Sequence, residues 1–172
     1  GVRFRPHVKT SKCTPVAQAQ LAAGAQGITV STLKEAAQFH ADGIDDILYA
    51  VGMAAAKLPQ ALALRRAGCR LTIITDSLAS ARAIADFGRA QGEAFEVLIE
   101  IDTDGHRSGI KPGEAALLEV GRVLHDGGMR LAGVLTHAGS SYELDTPEAL
   151  AAMAASASGA VSYTHLTLPT KA

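Results

Sequence analysis

Short β-branched runs alternate along this chain with Ala-rich stretches whose apolar positions recur at helical spacing. That alternation is the signature of a parallel sheet with helical crossovers. The predicted strands are Phe4–Lys9, Gly27–Val30, Asp46–Val51, Leu71–Thr75, Phe95–Asp102 and Leu131–His137. Helix starts are signalled between them by Thr14-Pro15, by the capping box Thr32-Leu33-Lys34-Glu35, by Asp76-Ser77, by Lys111-Pro112 and by Thr146-Pro147-Glu148. Gly24, Gly43, Gly68, Gly92 and the pair Gly127-Gly128 stand where helix ends call for a left-handed residue.

Strand faces separate an open, doubly wound sheet from a β/α barrel. From Phe95 to Asp102 a period of two puts Val97, Ile99 and Ile101 on one face and Glu96, Leu98, Glu100 and Asp102 on the other. A strand between two helical layers should be apolar on both faces, whereas a barrel strand can turn polar groups toward an interior that leads to an active site. The first predicted strand agrees, with Arg5, His7 and Lys9 on one face and Pro6 and Val8 on the other. The fold class expected is therefore α/β, a partial TIM-like (β/α)8 barrel with about six of eight βα units, since a complete barrel takes roughly 250 residues and this chain has 172. Arg5 and Glu100 both point inward on this phasing, and a mutual ion pair is expected of them.

The Ala-rich, Arg-using style of the body gives way after Ala160 to Val-Ser-Tyr-Thr-His-Leu-Thr-Leu-Pro-Thr-Lys-Ala. This stretch resembles the translated read-through of a sequencing adapter. The domain reading is a barrel portion over residues 1–160 and a non-native tail over 161–172.

Composition narrows the function classes. Lys and Arg number 16 against 17 Asp and Glu, so no basic excess draws nucleic acid and no acidic tail marks a solvating segment. Two cysteines are too few for a disulfide framework, no Asn is present to accept a glycan, and no charged-then-apolar leader opens the chain. A cytoplasmic location is expected. No apolar stretch approaches the ~20 residues that cross a bilayer. The expected partner is a small molecule, with neither nucleic acid nor membrane.

Three segments place polar groups at the C-terminal ends of predicted strands, where β/α barrels build their active sites: Arg5-Pro6-His7-Val8-Lys9-Thr10-Ser11-Lys12, the stretch from Glu100 through Asp102-Thr103-Asp104-Gly105-His106-Arg107-Ser108-Gly109, and Gly133-Val134-Leu135-Thr136-His137-Ala138-Gly139-Ser140-Ser141-Tyr142. In order and spacing, from about Val2 to Ala157, this set resembles the fold-type III pyridoxal-phosphate enzymes, the alanine racemase N-terminal domain superfamily, and within it the D-threonine aldolase and D-serine dehydratase branch.

The resemblance implies pyridoxal 5'-phosphate as cofactor and Lys9 as the catalytic lysine that holds it, a role that needs a neutral amine favoured by desolvation and neighbouring cations. Lys12 lies just past it as a second positive charge. Arg107 matches an arginine that contacts the cofactor's phenolic oxygen and the carboxylate side of the substrate, for which a fixed fork of donors is suited. His137 matches the histidine packed on the pyridine ring, and Ser141 and Tyr142 fall on the loop that borders cofactor and substrate. Two positions depart from the pattern: many relatives carry His where this chain has Ser11 and Ser140.

The activity implied is a lyase acting on a D-3-hydroxy amino acid, by Cα–Cβ cleavage or by loss of the β-hydroxyl. An amino-acid racemase and a non-catalytic cofactor-binding homeostasis protein share the same visible residues and remain open, as does a barrel that binds no pyridoxal phosphate. The branch also implies a divalent metal held by a C-terminal β domain outside this chain, and a homodimer for the intact protein.

Overall fold

The computed structural model describes residues 3–105 and 107–167. Its elements alternate as expected: α1 (Thr14–Ala22), β1 (Ile28–Val30), α2 (Leu33–Ala41), β2 (Asp46–Gly52), α3 (Leu58–Arg66), β3 (Arg70–Thr75), α4 (Leu78–Gln91), β4 (Glu96–Ile101), α5 (Ala115–Asp126), β5 (Arg130–Thr136) and α6 (Pro147–Thr167). The strands neighbour one another in chain order, β1-β2-β3-β4-β5. Both β1–β2 and β4–β5 pair in parallel. A doubly wound sheet reverses its strand order at a switch point, and this one keeps chain order throughout.

The chain divides into two compact units, Gly1–Ile73 and Ile74–Ala172. In the first, the strand residues Ile28, Val30, Ile47 and Tyr49 and the helix residues Ala36, Phe39 and Leu58 are all buried. The box expected at Thr32 forms in full: the Thr32 hydroxyl accepts from the Glu35 N–H at 3.0 Å, and the Glu35 carboxylate returns to the Thr32 N–H at 3.2 Å. In the second unit the face of β4 carrying Val97, Ile99 and Ile101 is fully buried, with Ile84, Leu117, Val120 and Leu124 supplying the helical side of the core. Ser77 caps α4 by accepting from the Ser80 N–H at 3.2 Å.

Three expectations need correction. The first strand, Phe4–Lys9, is reduced to a single parallel bridge between His7 and Thr29. Pro6 has no N–H to give, and although Val8 donates to Thr29 and Thr29 to Pro6, the Lys12 N–H closes back on the Val8 carbonyl at 2.9 Å and curls the chain into a turn. Lys111-Pro112 does not start a helix: a turn closes from the Glu114 N–H to the Lys111 carbonyl, and α5 begins at Ala115. Arg5 and Glu100 are not each other's recorded partners. Arg5 holds the Asp46 carboxylate at 2.6 Å and its carbonyl at 3.2 Å, while Glu100 accepts from the Ser108 hydroxyl at 3.0 Å. Gly27, at φ +80, is what makes room for that guanidinium, because a Cβ there would fall on the Arg5 Nη1 and 2.5 Å from the Asp46 carbonyl oxygen.

Helix α6 continues past residue 160, the expected end of the barrel portion, to Thr167.

Candidate functional site

In the first unit, Lys9 sits in the turn that follows the His7–Thr29 bridge, and its side chain is exposed, which corrects the expectation of a desolvated amine: the lost first strand leaves the lysine on an outward-facing turn. Alternation survives there despite the lost strand, for Pro6 and Val8 are buried and His7 and Lys9 face outward. The Lys9 N–H donates to His7 Nδ1 at 3.3 Å, and His7 Nε2 lies 3.3 Å from the Ser31 hydroxyl. A backbone N–H can only donate, so Nδ1 is bare in this contact and the imidazole presents Nε2–H to Ser31. On the other side of the turn, the Lys12 ammonium pairs with Glu35 Oε1 at 3.1 Å. Burial alone would raise the Glu35 carboxyl, but the Ser31 N–H and the Lys12 ammonium outweigh it and hold Glu35 below the usual carboxylate range.

The second unit brings together four of the residues singled out in the sequence. His137 lies one residue past β5 and leads into a 3-10 turn over Gly139–Glu143 that carries Ser141 and Tyr142. Its ring is tilted against Tyr142, centroids 6.0 Å apart. Arg107 reaches the same place from the loop after β4. A Cβ built on Gly139 would stand 3.0 Å from Arg107 Cγ and 3.6 Å from His137 Cδ2. Ser141 turns its hydroxyl back to the Ala138 carbonyl at 2.7 Å, which shapes the turn. Tyr142 is mostly exposed.

Two links between these loops were not read from the sequence. Asp104 Oδ2 accepts from both the N–H and the hydroxyl of Ser140, each at 2.9 Å, and the Thr103 and Thr136 hydroxyls meet at 2.8 Å. Asp102 meanwhile accepts the Gly105 N–H at 2.8 Å and tightens its own turn. The Asp-x-Asp-Gly spelling signals a turn and nothing about a partner thirty-six residues on. Below the loop, burial pushes the Glu100 carboxyl above the usual range, with the Ser108 hydroxyl and Arg107 pulling the other way.

An amine, an imidazole and a guanidinium thus follow the C-terminal ends of parallel strands or of a strand-like bridge. The model of the alanine racemase N-terminal domain matches residues 1–168. The chain belongs to this family. Over 155 residues it is 74% identical to a D-threo-3-hydroxyaspartate dehydratase of Delftia sp. (strain HT23), an overlap of 90% of this chain and 41% of that protein. The structure of that enzyme superposes with a TM-score of 0.94 at 69% identity, over 95% of this chain and 44% of the other. A D-threonine aldolase of Arthrobacter sp. is 32% identical over 151 residues, 86% of this chain and 39% of that protein.

The chain therefore spans less than half the length of the curated relatives it matches. As an alanine racemase N-terminal domain its α/β sheet is part of a TIM-like barrel. Among the described residues no group of three or more His, Cys, Asp or Glu could hold a metal ion, and no helix is long and apolar enough to cross a membrane.

Proposed function

We propose that the protein containing this chain is a pyridoxal-phosphate-dependent lyase that removes the β-hydroxyl of a D-3-hydroxy amino acid, with D-threo-3-hydroxyaspartate as the first substrate to test. The observation that carries the reading is the 74% identity, over 90% of this chain, to a dehydratase of that specificity. Dehydration is favoured over aldol cleavage because the aldolase relative stands at 32%.

The donor set fits the cofactor chemically. Lys9 offers a primary amine that is open to solvent, His137 offers a flat imidazole face, and Arg107 offers a permanently charged fork next to it. When bound, pyridoxal phosphate supplies an electron sink for the negative charge left at Cα. Lys9 is the residue that would hold it, and its amine would be placed to hold a proton near the substrate Cα. Arg107 would orient the substrate through its α-carboxylate, and His137 with Tyr142 would pack against the cofactor's ring. Ser141 shapes their turn through its bond to the Ala138 carbonyl.

A divalent metal, where the protein uses one, is held by residues outside this chain. A variant of a D-threo-3-hydroxyaspartate dehydratase is known in a metal-free form. The cofactor and a D-amino acid are the small-molecule partners proposed, and a homodimer is the assembly, to be read by light scattering.

The test is product analysis with the full-length protein on D-threo-3-hydroxyaspartate, D-serine and D-threonine. A 2-oxo acid with ammonia is expected. Glycine with an aldehyde would convert the reading to an aldolase, an epimerised amino acid alone to a racemase, and cofactor binding without turnover to a homeostasis protein.

A further inference from the structure

The turn that carries Lys9 is gripped from two sides by the corner between β1 and α2. On one side Ser31 meets His7 Nε2, and His7 Nδ1 receives the Lys9 N–H. On the other, Glu35 meets the Lys12 ammonium. Glu35 divides its work by atom: Oε2 receives the Ser31 and Thr32 N–H groups at the helix start, and Oε1 faces Lys12. A capping glutamate needs only the first of these contacts. The second reaches across twenty-three residues to the lysine turn.

Lys12 also stands at φ +44, the one non-glycine residue with positive φ recorded among the described residues. An unbranched side chain in the left-handed region carries backbone strain and stays there when its surroundings over-determine it. Here the Lys12 N–H bond to the Val8 carbonyl and the Glu35 carboxylate do so. Lys9 lies inside the loop those contacts close.

We propose that Ser31 and Glu35 are positioning residues for the Lys9 amine, acting through His7 and Lys12 respectively. The lysine side chain has four rotatable bonds, so the direction in which the backbone launches it decides the volume the amine samples. Misplacing a reacting group by about 1 Å can cost on the order of a hundredfold in rate. This inference rests on the reading of Lys9 as the cofactor's lysine.

The experiment follows capture of the cofactor rather than turnover. Pyridoxal phosphate is added to the purified, cofactor-free full-length protein, the adduct is reduced with borohydride at timed intervals, and the labelled peptide is identified by mass. Glu35→Gln keeps an oxygen for the helix cap and removes the charge opposite Lys12, so the unfolding midpoint at neutral pH should fall only slightly while capture at Lys9 slows about threefold. Ser31→Ala should slow it by a similar factor, and the two together about tenfold. His7→Asn keeps an acceptor near the Nδ1 position and should capture faster than His7→Leu. In the unaltered protein, nitrogen NMR of His7 should show the Nε2–H tautomer, a readout that needs no variant to fold.

Capture at Lys9 with native speed in the Glu35→Gln, Ser31→Ala double variant overturns the inference and leaves the cofactor reading standing. So does a His7 protonated on Nδ1. Capture that survives Lys9→Ala overturns the cofactor reading itself, and the inference with it.

Discussion

Gly139 lies beneath the aliphatic stem of Arg107: a Cβ at residue 139 would stand 3.0 Å from Arg107 Cγ and 3.4 Å from its Cδ. The contact is tight yet the neighbour is the flexible stem of an exposed side chain, so Gly139→Ala should be absorbed by a shift of Arg107 and cost less than about 1 kcal/mol of stability. On the proposed role of Arg107 the shift should register in substrate binding. In the full-length enzyme, KM should rise severalfold with kcat changed less, because what is lost is orientation of the substrate carboxylate. An unchanged KM would remove Arg107 from the substrate side of the site.

Asp104 and Ser140 tie the loop after β4 to the loop after β5 through two bonds on one carboxylate oxygen. Ser140→Ala removes the hydroxyl bond and leaves the backbone bond, and should cost about 1 kcal/mol in urea unfolding. Asp104→Ala removes both and should cost more. Equal losses from the two variants would show that the hydroxyl alone holds the loops. Ser140 is also one of the two positions where the chain departs from the pattern that the family resemblance implies, and the clamp makes a local account of that departure: a hydroxyl and its own N–H converge on the same oxygen.

Most of the element order is legible in the sequence because it rests on local chemistry. The Thr32–Glu35 box, the Ser77 cap and the buried face of β4 each depend on residues within a few positions of one another, and each forms as expected. What the periodicity misses is set by partners far away in the chain. Arg5 has its partner at Asp46, which strand phasing cannot distinguish from Glu100, since phase gives a direction and not a neighbour. The first strand fails because the N–H of Lys9 and of Lys12 turn inward to His7 and Val8. At the site, Arg107, His137 and Tyr142 converge as the motif order implies, while the contacts that hold their loops, Asp104 to Ser140 and Thr103 to Thr136, join residues more than thirty positions apart.

Lys12 offers a contrast between two small replacements. Lys12→Gly and Lys12→Ala both remove the ammonium that faces Glu35, but only glycine accepts φ +44 without steric cost. The glycine variant should be the more stable of the two by about 1 kcal/mol, measured by urea denaturation. If alanine were as stable as glycine, residue 12 would have left the left-handed region once its ion pair was gone, and the turn would be less constrained than its contacts indicate.

The two cysteines should differ sharply toward alkylation. Cys69 is buried at the start of β3's approach, donates to the Asp45 carbonyl at 3.5 Å, and its thiol is pushed up to about 11, first by burial and then by the Asp45 charge. At pH 8 a thiol of that kind is thiolate to the order of one part in a thousand. Cys13, half-buried ahead of α1, should therefore take iodoacetamide first, with Cys69 labelled only on unfolding. Peptide mapping after timed quenching reads the order, and early label on Cys69 would contradict the burial.

Glu35 and Glu100 pull the pH dependence of stability in opposite directions. The folded protein holds Glu35 below its ordinary value, so its contribution is present above the unfolded glutamate pKa, about 4.3, and is lost as pH falls through the lower folded value. Glu100 is held above its ordinary value, so its contribution is complete below the unfolded pKa and is lost as pH rises through the folded one. Glu100→Gln keeps an acceptor for the Ser108 hydroxyl and carries no charge to desolvate. Relative to the native protein it should therefore gain stability as pH climbs from about 4 toward neutrality, whereas Glu35→Gln should lose its deficit as pH falls toward 3. Urea midpoints taken across that range should converge for native and Glu35→Gln at the acid end and diverge for native and Glu100→Gln at the neutral end. Parallel curves for Glu100→Gln would mean that its carboxyl ionises in the fold as readily as in water, and that Ser108 and Arg107 compensate its burial in full.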